Sequence, residues 1–155
     1  MSAPIPEGFQ PLATNSPYNT MAGPWYSRVT DSQLVIGLRV ARKHCNTSGR
    51  LHGGMISSVL DVCLGHNMGM AMALRNNPSL NPAEHFATGS PGGRIATVSL
   101  NTNFLGAAVE GEWVECHAQV ERLGRRLAFL NATVATEEKT VATAKAIFSV
   151  LDPST

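Results

Sequence analysis

Two adjacent glycines are the residues of this sequence whose type and position first point to chemistry. Gly53 and Gly54 directly precede the stretch from Met55 to Leu74, whose apolar spacing predicts a long helix. The first N–H groups of a helix lack intrahelical partners, and glycine has no side chain to cover them, so they can point at a negatively charged or polarised oxygen. The sequence therefore predicts an oxyanion site at the start of this helix.

A single carboxylate, Asp61, follows Gly53 by eight positions in an otherwise apolar stretch. A helix rises about 1.5 Å per residue, so the two residues are expected roughly 12 Å apart, too far to act on one carbonyl within one chain. If both act on one bond, they must come from two antiparallel copies of the helix across a dimer axis, which supplies two sites per dimer. Asp61 would then be a general base for water or a nucleophile that forms a mixed anhydride. The structural alternative is that Asp61 caps a backbone group or pairs with an arginine.

The combined motif resembles that of a known family. Asn46, five residues, His52-Gly53-Gly54, six residues and Asp61 closely resemble the hotdog-fold acyl-CoA thioesterases of the phenylacetate-pathway and 4-hydroxybenzoyl-CoA type. The similarity extends to residues 97–105 and 124–129, and covers roughly residues 33 to 151. It implies a curved antiparallel sheet wrapped around one long central helix.

The resemblance also implies roles for individual side chains. Asn46 would hold the thioester or a water, although asparagine often only bonds its own backbone in a turn. His52 would orient the site or help polarise the thioester carbonyl, or it could simply satisfy loop carbonyls. Ser99, in the matching strand, could position the attacking water, but surface serines are common. Gly53 and Gly54 would contact the substrate through their backbone.

Arginines near one predicted hairpin could hold coenzyme A, the carrier of the acyl group. Arg122, Arg125 and Arg126 surround Gly124, and the resemblance places the matching turn near the nucleotide and phosphates of coenzyme A, whose oxygens suit arginine forks. Arg50, just before the motif, is a further candidate. The alternative for this cluster is a solvated hairpin tip. Coenzyme A is part of the substrate, and no separate cofactor is expected.

Composition excludes several other classes of function. The chain has 155 residues, a formal net charge of +1 and 15% charged residues, which gives no electrostatic case for nucleic acid. No apolar run is long enough for a membrane span, and the N-terminus does not resemble a secretory signal. The three cysteines fit a reducing cytosol, and the five histidines lack ligand spacing, so no metal site is expected.

The remaining pattern predicts an α+β fold in two parts: an irregular or partly helical N-terminal arm, residues 1–31, and one domain, residues 32–155, which the resemblance implies is a hotdog domain. The arm contains aromatic residues that could pack over the domain or close one end of an acyl pocket. Alternating residues predict a strand over 34–40 and four further strands joined as antiparallel hairpins. These four strands are predicted over residues 95–105, 112–122, 127–136 and 141–151. The segment from 76 to 94 is expected to be a solvated insertion or a lid.

The sequence thus predicts a cytoplasmic acyl-CoA thioesterase that works as a homodimer with shared sites, assembled as a tetramer. It is expected to hydrolyse a thioester to a free acid and coenzyme A, without nucleic-acid or membrane partners. Two alternatives stay open: a non-catalytic acyl-CoA binding or sensing module, and a hotdog-fold hydratase or dehydratase.

Overall fold

One long helix lies against a seven-stranded antiparallel sheet in a computed structural model, which describes residues 3–88 and 94–151. The strand order across the sheet is β1-β2-β3-β5-β6-β7-β4. This arrangement is the hotdog fold, so the predicted α+β class is confirmed. The elements in chain order are β1 (Gln10–Pro11), α1 (Pro17–Ala22), β2 (Tyr26–Thr30), β3 (Gln33–Arg39), a 3-10 turn (Arg42–His44), α2 (Gly53–Asn76), α3 (Pro82–Ala87), β4 (Ile95–Phe104), β5 (Trp113–Leu123), β6 (Leu127–Ala135) and β7 (Thr140–Val150).

The central helix α2 begins at Gly53, two residues before its predicted start, and ends at Asn76, just before Pro78. Arg75 lies in its last turn, where a cation suits the negative end of the helix dipole. The helix buries one apolar face against the sheet, where small side chains let it approach closely: Ala118, Ala132, Ala144 and Ala146.

The connection between β4 and β5 corrects one prediction. The sequence predicted a hairpin there, but β5 pairs with β3 and β6, so both of its edges are occupied and β4 pairs with β7 instead. The chain therefore crosses the sheet after β4. Ala108 of this crossing is buried, and its carbonyl accepts a hydrogen bond of 2.8 Å from Leu51 N, so the crossing supports the loop that leads into α2.

The N-terminal segment is more regular than expected, and part of it belongs to the sheet. Residues 26–30 form β2 and pair with β3, so the expected boundary at residue 31 falls inside the turn of a hairpin. Phe9 packs edge-on against Trp113, with ring centroids 5.0 Å apart, on the sheet face opposite α2. A Cβ at Gly37 would lie 2.1 Å from the Trp113 ring, so glycine is required for this close packing.

The segment between α2 and β4 is not purely a solvated loop. It contains α3, which Asn81 caps by accepting a hydrogen bond from Ala83 N. Phe86 of α3 is buried in the core, and this anchors the short helix against α2. Residues 89–93 of the predicted insertion lie outside the described residues.

Candidate active site

Asn46 holds the loop before α2 through its own side chain. Its Oδ1 accepts hydrogen bonds from Ser48 N at 2.9 Å and Arg50 N at 3.1 Å. The turn also needs the left-handed conformation of Gly49, whose φ is 72°. Oδ1 of Asn46 therefore stabilises the backbone of its own turn. Its amide nitrogen has no hydrogen-bond partner among the described residues and remains able to donate to a ligand.

His52 is the N-cap of α2. Its Nδ1 accepts a hydrogen bond of 2.9 Å from Gly54 N, so in the neutral ring the proton sits on Nε2. The ring itself is exposed. His52 therefore fixes the helix start and presents a donor to solvent.

This cap changes what the two glycines can do. The Gly54 N–H is already used by His52, so the expectation that both glycine N–H groups face a substrate oxygen is corrected for Gly54. The Gly53 N–H has no hydrogen-bond partner among the described residues. Within the described part of the chain, a Cβ at Gly53 would meet only the Phe104 ring, at 3.5 Å. Gly53 thus supplies one backbone donor at the positive end of the helix dipole.

Asp61 lies eight positions further along the same unbroken helix and is partly exposed. Thr97 Oγ1 donates a hydrogen bond of 2.7 Å to its Oδ1. No arginine pairs with this carboxylate among the described residues. Its Oδ2 has no protein partner there either, so one carboxylate oxygen is positioned and the other can act on a ligand.

A β-bulge explains why Thr97 contacts Asp61 and Ser99 does not. Thr97 lies opposite Phe148 and Ser99 lies opposite Ile147, so Val98 is the extra residue of the bulge. Cross-strand partners share a face of the sheet, and Phe148 is buried on the helix side. Thr97 therefore faces α2, whereas Ser99 lines a hollow on the opposite face.

Thr97 was missed because plain strand alternation puts residues 97 and 99 on the same face. Both carry a hydroxyl group, and nothing in the sequence marks Val98 as a bulge. The one available signal was Thr97 itself, a second hydroxyl two positions before Ser99.

The two halves of the site lie along the edge strand β4. Thr97, near one end of β4, contacts Asp61, and Phe104, at the other end, lies over Gly53. In a regular helix Gly53 and Asp61 are about 12 Å apart, so one chain does not bring them together. Three apolar side chains on or just after this edge are exposed: Val98 by 58%, Phe104 by 55% and Leu105 by 62%.

The predicted arginine cluster lies at the far end of α2 from Gly53. Arg122, Arg125 and Arg126 are exposed at the β5–β6 hairpin. Arg75, from the last turn of α2, donates a hydrogen bond of 3.0 Å to Gly124 O and so joins the helix to this hairpin. Among the described residues none of these four arginines is in an ion pair. Arg50, in contrast, is exposed on the loop before α2.

Two histidines are buried near the site. Burial lowers the pKa of His44, and its Nε2 donates a hydrogen bond of 2.8 Å to Ala22 O. Burial also lowers the pKa of His66, whose Nδ1 donates to Val62 O at 2.9 Å. Both are neutral structural groups at pH 7. Within residues 3–88 and 94–151, no cluster of three or more His, Cys, Asp or Glu side chains could hold a metal ion.

Comparison with known proteins identifies the class. The model of the thioesterase superfamily matches residues 48–143, which include the end of the loop, α2, β4, β5, β6 and the first four residues of β7. The chain therefore belongs to the thioesterase superfamily, and the recognised resemblance is confirmed. Membership supports thioester hydrolysis in general. None of the helices in the described part of the chain is long and apolar enough to cross a membrane.

Individual relatives resemble nearly the whole chain. It is 39% identical over 145 residues to a Pseudomonas aeruginosa protein named "Putative esterase PA0474", covering 93% of this chain and 96% of the relative. The structure of the conserved protein PA5202, also from Pseudomonas aeruginosa, matches with a TM-score of 0.69 and 25% identity, over 88% of this chain and 94% of that one. The E. coli PaaI protein of the phenylacetic acid degradation operon has the same fold, with a TM-score of 0.67 and 16% identity over 89% and 86% of the two chains.

Proposed function

We propose that this protein is an acyl-CoA thioesterase, which hydrolyses an acyl-CoA to a free acid and coenzyme A. The main observation in support is that Thr97 positions the carboxylate of Asp61. The helix that carries Asp61 also has a first N–H, at Gly53, without a hydrogen-bond partner among the described residues. A thioester carbonyl is already electrophilic and thiolate is a good leaving group, so a polarised carbonyl and an activated water suffice. We infer that no metal or separate cofactor takes part.

A dimer would complete the site. Pairing two β4 edges antiparallel about a two-fold axis near their middle would bring Thr97 and Asp61 of one chain beside Phe104 and Gly53 of its partner. The exposed apolar side chains of this edge support such pairing. Each dimer would then contain two sites, and we expect two dimers to form a tetramer.

The chemistry follows from these positions. In the general-base route, Oδ2 of Asp61 takes a proton from water while the water oxygen bonds to the thioester carbon. The Gly53 N–H of the partner subunit stabilises the resulting oxyanion, and Asn46 can donate a second hydrogen bond to the carbonyl or to the water. Collapse of the intermediate breaks the carbon–sulfur bond, and the thiolate takes the proton. In the alternative route, an oxygen of Asp61 bonds to the thioester carbon and the carbon–sulfur bond breaks, which releases the thiolate. Water then opens the mixed anhydride to give the free acid and the Asp61 carboxylate, and the thiolate takes the remaining proton.

Three arginines of the β5–β6 hairpin, at the C-terminal end of α2, would hold the phosphates of coenzyme A. Arg122, Arg125 and Arg126 supply exposed forks on the hairpin, and Arg75 holds that hairpin to the helix. Arg50 is the corresponding candidate at the other end of the site. We place the enzyme in the cytoplasm, where its cysteines would stay reduced.

The decisive experiment is a hydrolysis screen of the purified full chain with acetyl-, hexanoyl-, palmitoyl- and phenylacetyl-CoA, with thiol release as the readout. At least one substrate should be turned over repeatedly. Saturable binding without thiol release would instead indicate a binding or sensing module. Hydration of an enoyl-CoA without hydrolysis would indicate a hydratase.

A further inference from the structure

The short helix α1 presents two large apolar side chains to solvent close to the start of α2. Tyr18 is 51% exposed and Met21 is 65% exposed, and they lie three positions apart on one face of α1. Large exposed apolar groups beside a candidate site indicate contact with a ligand or another chain.

Three side-chain hydrogen bonds to backbone carbonyls of α1 fix the position of this helix. Trp25 Nε1 donates a hydrogen bond of 2.8 Å to Asn19 O, and His44 Nε2 donates one of 2.8 Å to Ala22 O. Lys43 Nζ donates to Met21 O at 3.1 Å. Both His44 and Lys43 belong to the turn that leads into the loop before α2. The apolar face of α1 is therefore held in one place relative to the active-site helix.

Tyr18 reaches directly onto that helix. Its hydroxyl lies 2.5 Å from Ser58 Oγ, and Ser58 uses its only proton to donate to Gly54 O at 2.9 Å. Tyr18 must therefore be the donor to Ser58. Ser58 precedes Asp61 by three positions, so both lie on the same face of α2 as neighbours. The Tyr18 hydroxyl is thus held about one helical turn before the carboxylate, towards the N-terminal end of α2.

The direction of the substrate follows from the two ends of α2, and here the argument rests on the proposed function. Arg75 lies fourteen positions beyond Asp61 towards the C-terminal end of the helix, whereas Ser58, with Tyr18 on it, lies three positions before Asp61 towards the N-terminal end. If the arginines of the hairpin hold the phosphates, about 21 Å along the helix from the carboxylate, the coenzyme A part of the substrate extends from the thioester towards the C-terminal end of α2. The acyl group then extends from the thioester in the other direction, towards Ser58 and Tyr18.

We propose that Tyr18 and Met21 form an apolar wall of the acyl pocket, so that α1 determines acyl specificity. The substrate is accordingly an acyl group with an extended apolar part, a medium alkyl chain or an aryl group, and not acetyl. The Tyr18–Ser58 hydrogen bond holds the ring in place, and the ring face contacts the acyl group.

The test compares kcat/KM for acetyl-, octanoyl- and phenylacetyl-CoA in the full-length wild type, Tyr18→Ala, Tyr18→Phe and Met21→Ala. Thr20→Ala, an exposed residue of the same helix, is the matched control. The wild type should prefer octanoyl- or phenylacetyl-CoA. Loss of apolar pocket contacts should lower kcat/KM for the preferred substrate about tenfold in Tyr18→Ala, and less in Met21→Ala. Hydrolysis of acetyl-CoA should change less than about twofold, and Tyr18→Phe should keep the wild-type preference.

Several results would contradict the proposal that Tyr18 and Met21 line the acyl pocket. One is a wild type that prefers acetyl-CoA, and another is an equal loss on all three substrates in Tyr18→Ala. A Tyr18→Phe loss as large as that of Tyr18→Ala would assign the effect to the hydroxyl. A change of mass in Tyr18→Ala by light scattering would make α1 a contact between chains. If Tyr18→Ala does not fold, the ratio of kcat/KM for the preferred substrate to that for acetyl-CoA in Met21→Ala decides.

A wild type that hydrolyses no acyl-CoA refutes the proposed function itself. Hydrolysis with an unchanged ratio in both variants refutes only the role of Tyr18 and Met21 in the acyl pocket.

Discussion

Thr97 shows how strongly a single residue's role depends on local backbone geometry. It and Ser99 are both hydroxyl residues of β4, but only Thr97 faces Asp61 because the bulge at Val98 separates their faces. A hydrogen bond to a charged group contributes about 1.5–3 kcal/mol, which corresponds to roughly ten- to a hundred-fold in rate if it acts in the transition state. Thr97→Val, which keeps the shape of the side chain, should therefore lower kcat by at least about tenfold.

Ser99→Ala is the matched control for that substitution. It removes a hydroxyl from the same strand on the opposite face, and its kcat should stay within about twofold of wild type. Steady-state kinetics on one preferred acyl-CoA measure both variants. Equal losses in the two would contradict the assignment of Thr97.

Asp61 itself carries the largest expected effect of any single side chain. Asp61→Asn keeps the size and the hydrogen bond from Thr97 but removes the base, so turnover should fall at least about a hundred-fold while coenzyme A binding persists. Turnover would be followed by thiol release and binding by calorimetry. A variant with turnover within threefold of wild type would remove Asp61 from the mechanism.

At the scale of elements, the β5–β6 hairpin is expected to bind the carrier and not the reacting bond. Changing Arg125 and Arg126 to Ala should raise KM for acyl-CoA, because binding energy lost far from the bond appears chiefly in KM. Hydrolysis of the N-acetylcysteamine thioester, which lacks the nucleotide, should barely change.

A control pair with the same loss of charge is Arg42→Ala with Lys139→Ala, since both side chains are exposed away from this hairpin. It should leave KM for acyl-CoA near the wild-type value. Equal losses on acyl-CoA and on the truncated thioester in the Arg125 and Arg126 variant would place these arginines in another role.

Two buried histidines predict a stability that is sensitive to acid. His44 contacts the end of α1, and His66 lies on α2 near His85 of α3. The pKa values of His44 and His66 are lowered by burial, so below about pH 6.5 the unfolded chain binds protons that the folded chain does not. The free energy of unfolding should therefore fall as pH falls below 6.5, by at most about 1.4 kcal/mol per pH unit for each histidine, until the folded pKa is reached.

Urea unfolding between pH 7 and pH 5 measures this slope. His66→Gln should unfold with a shallower dependence on pH than wild type, since one of the two groups is gone. An identical slope in the variant would show that His66 does not contribute.

At the scale of the whole molecule, the question is whether two chains share each site. Mixing an Asp61→Asn chain with a Gly53→Val chain should restore activity, because in a mixed dimer one site receives both changes and the other receives neither. Random pairing would return up to about a quarter of wild-type sites.

The two chains should be co-expressed with different tags and the heterodimer confirmed by mass, so that slow exchange does not obscure the result. Each parent alone sets the background. A confirmed heterodimer with no activity above that background would show that Gly53 and Asp61 do not act on one bond across the dimer.

Much of this architecture could be predicted because its signals are local. The period of the apolar residues gave α2 to within two residues of each end, and alternation gave the strands of the C-terminal half. Strand order could not be read in the same way, since β4 and β5 are neighbours in sequence but are separated in the sheet by β6 and β7. In the site, the motif located Asp61 and Gly53, whereas the His52 cap on Gly54 and the face of Thr97 depend on side-chain geometry that spacing does not encode.

The exposed edge of β4 has a consequence for how activity should vary with concentration. Under the proposed arrangement an isolated chain holds Thr97 and Asp61 at one end of this edge and Gly53 at the other, and neither end is a complete site. The concentration of complete active sites then follows the equilibrium between monomer and dimer. Specific activity should be constant at high enzyme concentration and fall towards zero on dilution below the dissociation constant of the dimer, with a lag in activity when diluted chains are concentrated again.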